Sequence, residues 1–193
     1  MNECSSRSEG VCLFLAEAVA TFALVFAGTG AIIFNDAFGG PGHTGIAIVF
    51  GAVVAAMILV FGPVSGAHMN PAVSIAMTLA RELSLKRLPL YLTAQAVGGF
   101  AASGFLFYVM PEHATLGATT PRVAPHAAFL LELLLTFLLM EAIVQSALLR
   151  RSGTAYVAAT VGLIVGLQAM FARPAMSARA VKTLSFLSGA QKM

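Results

Sequence analysis

Charge is scarce in this chain: Asp, Glu, Lys and Arg make up only 10% of its 193 residues, while 59% are hydrophobic. A soluble domain carries about a quarter charged residues and under half apolar ones. The deficit excludes a soluble enzyme, a disordered scaffold and a small disulfide-stapled secreted domain, and it assigns the chain to lipid. Cysteine is nearly absent as well. Cys4 lies in a polar leader and Cys12 opens an apolar run, so the pair makes neither a disulfide framework nor a metal set. The net charge of +3 is too small for a nucleic-acid footprint, and no nucleic-acid partner is expected. The polar residues form no nucleophile, base or metal constellation, so neither an enzymatic reaction nor a cofactor is expected.

Long apolar runs are what the chain has in quantity. A transmembrane helix needs about 20 mostly apolar residues. Val11–Phe34, Ile46–Phe61, Pro89–Met110, Ala127–Leu149 and Tyr156–Ala172 supply five candidates. The first is too long for the apolar part of a cleaved signal, and its leader holds only Arg7 as a positive charge, so it reads as an anchor. Loop charges orient the spans. Arg81, Lys86 and Arg87 follow the second, and Arg150 and Arg151 follow the fourth; the loop after the first has only Asp36, and the loop after the third has Glu112 and Arg122. Positive charge stays on the cytoplasmic side, so these loops predict a cytoplasmic N-terminus.

Between the second span and the basic loop runs Gly62-Pro63-Val64-Ser65-Gly66-Ala67-His68-Met69-Asn70-Pro71-Ala72-Val73, then an apolar stretch to Ala80. Gly, Pro and Ser interrupt a helix. Asn is a favoured N-cap and Pro a favoured first helical residue, so a helix of about ten residues, ~15 Å long, is expected from Asn70. That is half a membrane thickness, and it predicts a segment that enters the bilayer and returns, tolerated only inside protein or beside a wet cavity. The alternative is an ordinary capped amphipathic helix on the cytoplasmic face.

The spans also repeat. Glu17, Thr21 and Phe22 recur as Glu132, Thr136 and Phe137, 115 positions later, and Gly51 and Pro63 align with Gly162 and Pro174 at an offset of 111. A duplicated three-span unit has an odd number of crossings, so its second copy enters from the opposite side, as an inverted repeat. A carboxylate within a span faces the bundle interior and a partner. Glu17 and Glu132 are therefore read as braces accepting hydrogen bonds from broken loops, with a proton relay as the alternative; Glu141 has no mate. Thr136 and the small residues Gly98, Gly99, Ala101, Ala102 and Gly104 suit close helix packing.

Ser65-Gly66-Ala67-His68-Met69-Asn70-Pro71-Ala72-Val73 resembles the first signature of the aquaporin and glycerol-facilitator family, the major intrinsic proteins. Ala16 to Phe22 and the duplication are similar to that family as well, over roughly Val11 to Ala172. The resemblance implies an all-α membrane protein, a helical bundle of inverted repeats conducting water or small neutral solutes such as glycerol. It further implies a homotetramer in the plasma (inner) membrane. Asn70 would be a solute-facing donor at the positive end of a half-helix, with Pro71 and Ala72 fixing the turn and His68 near the cytoplasmic pore entrance. Phe50 matches the second-span position of the constriction and Ala169 the fifth-span position, where a small residue leaves room for glycerol. Phe50 can instead be an apolar ring on a lipid-facing or core helix.

The second half departs from the pattern, which calls for another Asn-Pro-Ala, an Arg and a sixth span. Either Arg173-Pro174-Ala175 is a degenerate signature, or Pro174 matches Pro63 and the Asn slot falls near Val181 or Lys182; the second keeps the spacing from the fifth span. The expected organisation is a leader (1–10), a first repeat (11–110), an incomplete second repeat (127–172) and an atypical basic tail (173–193). That tail carries Arg173, Arg179, Lys182 and Lys192 without an acid. Its charge contradicts the orientation rule and reads as foreign sequence, from a frameshift or a truncated gene. The expected architecture is five spans plus one re-entrant half-helix, with the second half-helix and sixth span missing or degenerate. The function so implied is a passive channel with an incomplete second half. The alternatives are a non-conducting remnant or interaction subunit, and a proton-coupled transporter using Glu17 or Glu132.

Overall fold

The computed structural model describes residues 6–113, 115–118, 123–148 and 153–176. They form six helices: α1 (Ser6–Phe38), α2 (Gly42–Ser65), α3 (Pro71–Leu79), α4 (Leu88–Val109), α5 (Pro125–Leu148) and α6 (Thr154–Met176). All but α3 are long and apolar enough to cross a membrane, and α3, with nine residues, spans about 13–14 Å. The all-helical bundle agrees with the architecture expected from the apolar runs.

Three boundaries differ from the sequence reading. The first helix begins at Ser6 rather than Val11, taking in part of the expected leader. Glu9 sits in its first turn, where the helix dipole favours an acid, and pairs with Arg87 at 2.5 Å. The leader and the basic loop thus share one end of the bundle. The second helix does not stop at Gly62 but continues through Pro63 to Ser65. Pro63 forgoes the N–H that would bond Leu59 O, but its fixed φ is itself helical and the chain continues; the true stop is Gly66 in the left-handed region (φ 87), its N–H bonded to Gly62 O at 3.0 Å. Finally, α6 carries helical backbone through Arg173-Pro174-Ala175. A tripeptide inside a helix cannot serve as the cap of a new one, so the degenerate-signature alignment does not fit. Val181, Lys182 and the rest of the tail lie outside the described residues, as do Arg122, Arg150 and Arg151.

Packing follows small residues. α1 crosses α4 with Gly98 against the Ala18 carbonyl, and α2 crosses α6 with Gly51 and Gly162 backbone to backbone. A Cβ at Gly162 would stand 2.7 Å from the Gly51 oxygen, so only glycine permits this approach. α5 packs on α6 and on α3. Its outer face, including Leu130, Leu133, Leu134 and Phe137, is exposed among the described residues.

Candidate functional site: a capped half-helix beside an uncharged cavity

Asn70 caps α3. Its backbone is extended (φ −151, ψ 126) and its Oδ1 accepts the Ala72 N–H at 2.9 Å, with Pro71 at the first helical position. Because the oxygen is occupied by the cap, the amide NH2 is the group left to face outward. The dipole of α3 makes the same tip electropositive.

The loop leading to Asn70 is held by a buried carboxylate. Glu17 has no solvent exposure, and it accepts from Ser65 Oγ (2.7 Å) and His68 N (2.9 Å) on Oε1. Met69 N (3.0 Å) and Gln95 Nε2 (2.9 Å) bond Oε2. Two loop residues with side chains, Ala67 (φ 49) and Met69 (φ 52), occupy the left-handed region, which costs about 1–2 kcal/mol each for an L-residue. Gln95 Nε2 also donates to Ser74 Oγ on α3 (2.9 Å), which lies 3.1 Å from His68 Nδ1. Tyr91 donates its hydroxyl to Ser65 O at 2.6 Å, and its ring sits 5.1 Å from the His68 ring.

Asn70, His68 and Phe50 all line one cavity of about 540 Å³. At ~30 Å³ per water, this is room for more than a dozen. One end is marked by Thr29 and Phe50. The other is marked by Gly62, Ser146 and Thr154, with Thr154 Cγ2 close to Gly62. Its walls are stripes with a four-residue repeat, Phe50, Val54, Ile58 and Gly62 on α2 and Val157, Val161 and Val165 on α6. Among the described residues, no Asp, Glu, Lys or Arg lines it. Such a wall can solvate a hydroxyl at a few points but cannot replace the water shell of an ion.

The other residues singled out in the sequence fall elsewhere. Pro71 and Ala72 are exposed beside the tip and do not line the cavity, because they are spent on starting the helix. Ala169 continues the α6 stripe one turn past Val165, outside the cavity lining, near the end where Met170 O meets His43 Nε2. Glu132 is exposed, and no described residue hydrogen-bonds its side chain; the loop that would match 65–69 lies outside the described residues. Sequence reasoning missed Gln95, Ser74 and Tyr91. Only Gln95 gave a signal, as a lone amide in the middle of a span.

Comparison with known proteins agrees with this architecture. A family model described as "Major intrinsic protein" matches residues 5–181. Aquaporin NIP1-4 of Oryza sativa subsp. japonica is 36% identical over 167 residues, covering 86% of this chain and 61% of that protein. A probable NIP-type aquaporin of Nicotiana alata is 35% identical over 176 residues, covering 89% and 64%. The chain thus spans about three fifths of the length of these curated relatives. In fold, it is similar to the X-ray structure of the aquaglyceroporin from Plasmodium falciparum, with a TM-score of 0.78 at 24% identity over 94% of this chain and 84% of that one. A multi-pass helical bundle built on a loop-borne half-helix, matched by the family model over most of its length, belongs to the major intrinsic protein family.

Proposed function

We propose that this chain provides a passive path for water and small uncharged solutes such as glycerol across the membrane. In this reading, Asn70 is the donor that orients the solute, and Phe50 narrows one end of the path. His68 lies on the loop toward the other end. The carrying observation is that the Asn70 cap consumes Oδ1 and leaves the amide NH2 beside a cavity of about 540 Å³ with no charged lining among the described residues. A permeating hydroxyl trades water hydrogen bonds for that donor, while an electropositive helix end opposes cations. Glu17 is the loop brace. With four donors on its two oxygens, it has no lone pair suited to proton shuttling, which weighs against a coupled transporter. The path would sit in the first repeat and incomplete second repeat of an inverted pair, in a homotetramer of the plasma (inner) membrane with the N-terminus cytoplasmic.

The face of α5 that no described residue covers favours a second reading, a non-conducting remnant or interaction subunit. Osmotic swelling of proteoliposomes separates the two. Rapid water or glycerol entry, indifferent to an imposed proton gradient and reduced by Asn70→Asp, supports the channel. Aspartate keeps the cap oxygen and removes the donor, so unchanged flux in that variant refutes the role of Asn70. No flux in the unmodified chain refutes the channel.

A further inference from the structure

We propose that Gly28 is the positioning residue for the Phe50 ring, and through it sets the width of the cavity at the Thr29 end; this rests on reading the cavity as the path. Gly28 is buried within α1, where glycine is less favourable than alanine. Its φ is not positive, so the backbone does not require glycine. What the position requires is space. A Cβ there would overlap Phe50 ring carbons, with Cδ1 at 2.8 Å and Cζ and Cε1 nearer still. The ring therefore lies directly against the α1 backbone, with the cavity on its open side, since Phe50 and Thr29 both line it.

The neighbouring residue decides what happens if that space is filled. Gly51 is clamped against the backbone of Gly162 and Gly166, so α2 cannot withdraw as a body. A side chain at position 28 is accommodated by the ring, which swings toward Val161 and Val165 on the α6 wall and narrows the passage. Gly28 itself touches no solute.

The test uses the full chain in proteoliposomes, with Gly28→Ala alone and combined with Phe50→Leu. Gly28→Ala should lower the glycerol-to-water permeability ratio severalfold, and Phe50→Leu should restore it by removing the ring that is displaced. Both permeabilities falling together without rescue overturns the proposal. A second measurement does not depend on flux: Val54→Cys, one turn deeper on α2, in a Cys4→Ser/Cys12→Ser background. Its modification by a small membrane-impermeant thiol reagent applied only from the Thr29 side should slow severalfold with Gly28→Ala and recover with Phe50→Leu. An unchanged rate overturns the role of Gly28 whether or not the chain conducts. Slowed and rescued modification in a chain without flux upholds the ring geometry while refuting the channel reading.

Discussion

Replacing Glu17 by glutamine should unfasten the loop before Asn70 while leaving the bundle assembled. The substitution is nearly isosteric but turns one acceptor into a donor. If the new NH2 takes the Oε1 place, it faces Ser65 Oγ and His68 N; in the Oε2 place, it faces Met69 N and Gln95 Nε2. Ser65 can rotate its hydroxyl, and Gln95 can flip, since its Oε1 has no partner. A backbone N–H has no such escape, so either His68 or Met69 is left with a buried, unpaired donor. One such orphan costs about 1–3 kcal/mol, and the surviving bonds lose their charge assistance, for a total of about 2–4 kcal/mol. The left-handed residues Ala67 and Met69 would release about 1–2 kcal/mol each on relaxing, so the loop should open rather than tolerate the defect. At ~1.4 kcal/mol per tenfold, local opening should become about 30- to 700-fold more frequent. Amide hydrogen exchange of a peptide covering 65–70, measured on the full chain in nanodiscs, reads this directly. Exchange unchanged from the unmodified protein would refute the brace.

The exposed Glu132 offers a contrast: Glu132→Gln should shift thermal unfolding by no more than about 0.5 kcal/mol, and a loss equal to that of Glu17→Gln would show that both acids are engaged alike. At the α2–α6 crossing, Gly51→Ala places a methyl against the backbone of Gly162 and Gly166. Overpacking of this kind costs about 1–3 kcal/mol, so the melting temperature in detergent should fall; an unchanged value would show that the two helices separate freely.

The half-helix was legible because its signals are local. An Asn followed by a nine-residue apolar-rich run that opens with Pro, and a break before it, define a capped short helix through backbone chemistry alone. The same locality misled at Pro63, where helix-breaking residues suggested a stop at Gly62. The fixed φ of proline is itself compatible with helical backbone, so α2 continues through Pro63, and the left-handed Gly66 is what ends it. Glu17 was recognisable as an interior acid from the cost of charge in lipid, but its partners were not, because Ser65, His68, Met69 and Gln95 reach it only across separate elements.

By itself, the sequence determined the membrane-spanning helical class, the five long helices, the short one between them and the cap at Asn70, since length, hydrophobicity and capping act within a few neighbouring residues. Only the tertiary structure decided that Phe50 and Asn70 share a cavity while Ala169 does not, that Gly28 makes room for an aromatic ring, and that Glu17 is buried with four donors while its counterpart Glu132 is exposed. Those outcomes depend on which helix faces which. In a bundle whose spans are all apolar, hydrophobicity cannot specify that, and close contact between small residues does.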